Sequence, residues 1–349
     1  MNPAVFVYLS SGLFLGWSLG ANDAANVFGT AVGSRMVRFS TAALIASVFV
    51  ILGAVISGAG ASHTLGKLGA INTLPGAFMA ALAAALSVYL MTQRGLPVST
   101  SQAIVGGIIG WNLFMGQRTD PAIVSKFAFA WVASPIMAGV MAAVLFALTR
   151  AVLRRTKIHL LRLDQYTRLG LILVGAFGAY SLGANNIANV MGVFLNVSPF
   201  HDLKLGPITL SSAQQLFLLG GIAIAVGIYT YSERVMMTVG QDIVRLTPVA
   251  ALIVVLAQSL VLFLFASQSL AAWLTAHHLP ALPLVPVSSS QAVVGAVIGL
   301  GLITPGERVR WGVVRNIAIG WLLTPTVAAL ISVVGMFVLQ NVFNLPVRP

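Results

Sequence analysis

The stretch SLGANDAANVFG (residues 18–29) returns as SLGANNIANVMG at residues 181–192. A second stretch, PVSTSQAIVGGIIG (97–110), returns as PVSSSQAVVGAVIG (286–299). Two shorter matches keep the same order: TLGK (64–67) with TVGQ (238–241), and WVASP (131–135) with WLLTP (321–325). Their offsets are 163, 189, 174 and 190 residues in the order given. Four matches in one order make an internal duplication. Apolar segments run near 4–30, 41–60, 76–93, 97–115 and 127–150, then near 169–195, 211–232, 247–275, 286–304 and 312–342. Each half therefore holds five segments, and an odd number turns the second half over relative to the first. The expected fold is an all-α polytopic membrane protein of two inverted-topology repeats, the architecture of many secondary transporters. The first repeat covers 1–149, a basic cytoplasmic linker 150–168, and the second repeat 169–349. Segments 97–115 and 286–304 are short and polar at their starts, so re-entrant helical hairpins bring the expected count to ten to twelve.

Composition agrees. Of 349 residues, 58% are hydrophobic and 7% charged. A soluble domain carries about 25% charged residues, so this chain has too little polar surface for a soluble enzyme or binding domain. The net charge of +12 does not indicate nucleic acid, because the basic residues sit in short breaks between apolar runs, where membrane topology puts them. With the N-terminus outside, 14 of the 19 Lys and Arg residues fall on the cytoplasmic side, six of them in the linker. That asymmetry favours this orientation over its mirror image. The first 20 residues lack a basic start and a cleavage signature, and read as a retained first span. Short loops suggest a prokaryotic inner membrane. There is no cysteine, hence no disulfide framework.

The duplicated motifs carry the chemistry. Asn22, Asp23 and Asn26, with Asn185, Asn186 and Asn189, lie toward the inner end of apolar segments. A carboxylate there needs a cation, a proton or a water-filled cavity. Gly20, Gly29, Gly183 and Gly192 bracket the two sets and permit unwinding or close helix approach. Hard oxygen ligands of this kind suit an alkali cation. Ordinary helix–helix hydrogen bonding is the plainer role, and its repetition in both halves argues for function. In the second motif, Ser99, Thr100, Ser101 and Gln102, with Ser288, Ser289, Ser290 and Gln291, read as helix starts. Free N–H groups and the positive dipole end there make an anion site; plain N-capping is the alternative. An oxyanion held by such donors, with no Lys or Arg in a nearby span, needs a co-bound cation for neutrality. Ion-coupled symport follows. A passive anion channel is a weaker reading, and an intramembrane enzyme lacks a catalytic constellation. Gly106-x-x-x-Gly110 and Gly295-x-x-x-Gly299 are expected to pack helices closely. Glu233 and Asp242, beside the second TVGQ copy, read as cytoplasmic loop charges.

GANDAANVFGTAVGS with PVSTSQAIVGG, repeated as GANNIANVMG with PVSSSQAVVGA, resembles the inorganic phosphate transporter (PiT) family over nearly the whole chain. The resemblance implies a sodium- or proton-coupled phosphate symporter with inverted repeats, forming a homodimer in the lipid bilayer. It places Asn22, Asp23, Asn185 and Asn186 at ion and substrate sites, and the six hydroxyl residues at phosphate-binding hairpin tips. No cofactor is implied beyond the co-transported sodium ion. Two departures bear on coupling. Many members carry Asp in both copies of the first motif, where this chain has Asn186 in the second. Many also carry His at the positions of Gln102 and Gln291. Loss of these groups removes proton carriers and favours sodium over a proton. A proton-coupled sulfate permease of the same family is the alternative.

Overall fold

The structure, a computed structural model, describes residues 4–69, 71–93, 98–156, 158–206, 208–239, 246–304 and 309–347. Twelve α-helices occur among them. In the first half they are α1 (Ala4–Gly33), α2 (Phe39–Ser57), α3 (Ala59–Gly69), α4 (Leu74–Gln93), α5 (Thr100–Met115) and α6 (Pro121–Arg155). In the second they are α7 (Leu160–Met191), α8 (Ser212–Val239), α9 (Pro248–Ala266), α10 (Gln268–Ala276), α11 (Ser289–Ile303) and α12 (Trp311–Asn341). A 3-10 turn (Gly192–Val197) and a small antiparallel hairpin, β1 (Leu203–Leu205) with β2 (Ile208–Leu210), join α7 to α8. Among the described residues, eight helices are long and apolar enough to cross a membrane.

Segments 97–115 and 286–304 are broken rather than continuous spans. Val98 and Ser99 approach α5 in a non-helical, buried conformation, and Val285–Ser288 approach α11 likewise. The helices that follow have only 16 and 15 residues, about 24 Å and 22 Å at 1.5 Å per residue. That falls short of the hydrocarbon thickness of about 30 Å. Ser99 Oγ accepts from the Gln102 amide at 3.2 Å, and Ser288 Oγ from the Gln291 amide at the same distance. The two helix starts are thus capped identically by the first serine of each motif. Pro97, the first residue of its motif, lies outside the described residues, as do Gly240 and Gln241 of TVGQ and Asp242.

Three sequence expectations change. The stretch 150–168 is mostly helical: α6 continues to Arg155 and α7 begins at Leu160, leaving a short break between them. Long basic side chains reach water from a helix as easily as from a loop, so the charge marks a boundary without breaking the helix. The apolar run 247–275 is two helices, divided where Ser267 caps α10 through a bond from the Leu270 amide. Glu233 lies within α8 and is exposed, rather than in a loop.

Helices pack across the two halves, and glycines set the distances. A Cβ at Gly53 of α2 would collide with the Tyr180 carbonyl of α7, and one at Gly227 of α8 with the Trp17 carbonyl of α1. These contacts are counterparts at the offsets 174 and 163. In the same way Gly106 of α5 lies against the Pro325 carbonyl of α12, and Gly295 of α11 against the Pro135 carbonyl of α6. Each proline sits inside a long helix. A proline cannot donate to the carbonyl four residues earlier and loosens the helix there. Small residues let backbones approach where lipid offers no hydrophobic drive between helices. α6 and α12 are the least covered: 17% and 22% of their most apolar windows are buried, so both turn apolar surface outward.

Candidate functional site

All fourteen residues singled out in the two motifs are described, and the fold gathers most of them into one hydrogen-bonded cluster. α1 is helical through Asn22, Asp23 and Asn26, and α7 through Asn185, Asn186 and Asn189. Of the two uses expected for the bracketing glycines, unwinding does not occur at Gly20, Gly29 or Gly183, and only at Gly192 does the α-helix give way to a 3-10 turn. Gly20 abuts the Ile224 carbonyl and Gly183 the Val50 carbonyl, counterparts again. Because both helices stay wound through the asparagines, most of their carbonyls remain in the helix ladder, and side chains are the oxygens left available to a ligand.

Asp23 is 3% exposed. Ser289 Oγ donates to its Oδ2 at 2.7 Å. The amides of Asn186 and Asn22 reach its two oxygens at 3.5 Å each, the limit of a useful bond. One short bond compensates little of the cost of removing a carboxylate from water. Asn26 Nδ2 donates to Ser289 Oγ at 3.2 Å, joining both asparagine and aspartate of α1 to the start of α11. On the other side, Asn189 Nδ2 donates to Ser101 Oγ at 2.9 Å and to Asn186 Oδ1 at 3.1 Å. Ser101 Oγ donates to the Val287 carbonyl at 3.0 Å. The beginnings of α5 and α11 therefore meet directly, as two converging helix N-termini.

Asn185 is fully engaged by backbone. Its Nδ2 donates to the Val287 carbonyl at 2.7 Å, and its Oδ1 accepts from the Val287 amide at 3.0 Å. Nδ2 also reaches Asn186 Oδ1 at 2.9 Å. Asn22, its counterpart, makes no such pair with Val98 and is half-buried.

Two kinds of group remain open to a ligand. Among the described residues, the hydroxyls of Thr100 and Ser290 make no hydrogen bond, although the residues are 4% and 8% exposed. The buried oxygens Gln102 Oε1, Gln291 Oε1, Asn189 Oδ1 and Gln258 Oε1 also have no partner. A buried orphan acceptor costs about 1–3 kcal/mol; of these residues Asn189 and Gln258 are bonded directly to the cluster, through Asn186 and Asn26, where a cation, water or proton-bearing anion would satisfy such oxygens.

Gln258 escaped the sequence reading. It is fully buried on α9, and its Nε2 donates to the Asn26 carbonyl. The available signal was an amide in the middle of the apolar run ALIVVLAQSLVLFLFA, where polar groups are expensive. Val287 escaped because its role is carried by backbone.

The chain is similar over most of its length to known proteins. A profile described as the phosphate transporter family matches residues 19–332. Relatives that carry the name "Putative phosphate permease" occur in Thermococcus kodakarensis (26% identical, covering 95% of this chain and 97% of that one) and Methanocaldococcus jannaschii (27%, 91% and 92%). One from Haemophilus influenzae is 24% identical over 97% of each chain. A solved structure titled "The sodium-dependent phosphate transporter" superposes with a TM-score of 0.77 at 26% identity, over 97% of this chain and 99% of that one. With the candidate site residues of both motifs inside the matched range and meeting at one site, this chain belongs to the phosphate transporter family.

Proposed function

We propose that this protein is a secondary transporter, not an enzyme, that carries inorganic phosphate across a membrane with sodium. The observation that carries the reading is the 2.7 Å bond from Ser289 to Asp23. It joins the anion motif of one half to the cation motif of the other. Cation and anion then occupy neighbouring positions, and each neutralises the other in a low-dielectric setting. Likeness to a sodium-dependent phosphate transporter supports the choice of cation and anion.

In this reading sodium is held by the Asp23 carboxylate with oxygens from Asn26, Asn186, Asn189 and Gln258. Phosphate is held by the N-termini of α5 and α11 with the hydroxyls of Thr100 and Ser290. Gln102 and Gln291 border it as acceptors, and Ser99 and Ser288 fix the helix starts. Asn22 and Asn185 adjoin the cation site. A proton-bearing phosphate can donate to an acceptor such as Asp23 or a Gln oxygen, and sulfate cannot. The halves 1–149 and 169–349 act as inverted repeats with the N-terminus outside and the basic 150–168 stretch cytoplasmic, in a prokaryotic inner membrane. The outward apolar faces of α6 and α12 supply lipid contact and the surface of a homodimer.

The test is uptake of radiolabelled phosphate by proteoliposomes under an inward sodium gradient, with unlabelled sulfate as competitor. Sodium-dependent accumulation that sulfate does not block is the expected result. Accumulation driven only by an acid-outside gradient, or blocked by sulfate, overturns it in favour of a proton-coupled sulfate permease. Passive equilibration without accumulation overturns it in favour of a channel.

A further inference from the structure

The two halves match in sequence and packing yet differ at one pair of counterparts. Asn185 clasps both backbone polar groups of Val287, just before α11. At the offsets of the two motifs, Asn22 corresponds to Asn185 and Val98 to Val287, but Asn22 and Val98 are not joined. The surroundings differ in the same sense. Asn22 borders a cavity of about 270 Å³ with Trp17, Ser18, Tyr89, Gln93 and Tyr231. The counterpart positions in the other half are packed more tightly. Ser181 and Asn185 are fully buried where Asn22 is half-buried, and Tyr180, which corresponds to Trp17, shares a 2.6 Å hydrogen bond with Ser57, which corresponds to Tyr231, where Trp17 and Tyr231 meet only as tilted rings with centroids 5.9 Å apart.

We propose that Asn185 and Asn22 are alternating latches. Each in turn pins the extended approach to one hairpin helix, Val287 or Val98, and so closes one face of the site while the other face is open. The structure is the state in which the Asn185 latch is closed, the Asn22 latch is open, and the cavity at Trp17 and Tyr231 is the access path. An asparagine suits this role because its amide pairs with a residue's N–H and C=O together, and both groups need partners at membrane depth. Near-symmetry makes two states of similar energy available, so one latch biases the balance. The latch makes Asn185 and Asn22 positioning residues that act through backbone. It rests on the transport reading only in what drives the exchange.

The chain has no cysteine, so single cysteines report accessibility cleanly. Tyr231→Cys, on the exposed wall of the cavity, and Ser181→Cys, purified in detergent micelles, would be labelled with a charged, membrane-impermeant methanethiosulfonate. Without ligand, Tyr231→Cys is expected to react and Ser181→Cys to be protected. Adding Asn185→Ala should speed labelling at Ser181→Cys roughly tenfold, about the loss of one net hydrogen bond, and slow it at Tyr231→Cys. Adding Asn22→Ala should leave both ligand-free rates unchanged, because Asn22 holds no backbone in this state. Sodium with phosphate should protect Tyr231→Cys in the parent and fail to protect it in Asn22→Ala, both at concentrations where bound radiolabelled phosphate has reached saturation. Unchanged rates in Asn185→Ala, or rates that rise together at both cysteines as in general loosening, overturn the latch. If Asn185→Ala is not recovered folded, the Asn22→Ala arm decides: protection equal to the parent overturns the proposal. The ligand-free arm is independent of the substrate. A labelling shift without sodium-driven phosphate uptake would overturn the transport reading and leave the latch standing.

Discussion

Ser289 and Asp23 stand 266 residues apart in the chain and meet at 2.7 Å, hydroxyl to carboxylate, in a buried position. Everything inferred about coupling depends on this meeting, because it sets the anion-facing helix start of one half on the single carboxylate of the other half's motif.

Ser289→Ala removes the one short bond to that carboxylate. A hydrogen bond to a charged group contributes about 1.5–3 kcal/mol, so the apparent sodium affinity should change by roughly tenfold or more. Phosphate uptake measured against sodium concentration checks this. An unchanged sodium dependence would show that the bond plays no part in coupling.

Asp23→Asn should abolish sodium-coupled uptake while leaving a folded protein, since an amide fits among Asn22, Asn186 and Ser289 without a buried charge. Size-exclusion elution and uptake, measured on one preparation, separate the two effects. Sodium dependence like that of the parent would sink the cation role of Asp23.

Gln258→Met should lower sodium-driven uptake with only a modest fall in thermal stability. The substitution deletes a buried oxygen that has no partner and the Nε2 bond to the Asn26 carbonyl, a net loss of about 0.5–1.5 kcal/mol. A large drop in Tm with intact transport would reverse the assignment and make Gln258 a structural residue.

Gly106→Ala and Gly295→Ala should each destabilise the fold, because their new methyl groups would strike the Pro325 and Pro135 carbonyls. Overpacking of this kind costs about 1–3 kcal/mol and occasionally more. Gly312→Ala is the control, with nothing within 4 Å of the added carbon. Thermal shift in detergent should rank the first two well below the third.

The sequence by itself determined the class of fold and the identity of the two motifs. Apolar runs this long have few solutions in a bilayer, since every backbone group must be satisfied within the segment or by protein. Repetition of Asn22, Asp23 and Asn26 as Asn185, Asn186 and Asn189 was the argument for function over ordinary helix–helix hydrogen bonding, and it needed no coordinates. Serines at 99 and 288 announced helix starts, and both cap their helices as the residue type dictates.

Only the tertiary structure decided what meets what. The pairing of Ser289 with Asp23, of Asn185 with the backbone of Val287, and the arrival of Gln258 at Asn26 all join segments far apart in sequence. No local propensity encodes such contacts; they follow from the distance at which helices pack, and glycines such as Gly53 and Gly227 set that distance. The difference between Asn22 and Asn185 was equally invisible. The two residues are identical in type and lie in matching motifs. What separates them is tertiary packing: Asn185 is fully buried on the backbone of Val287, and Asn22 is half-buried beside a cavity.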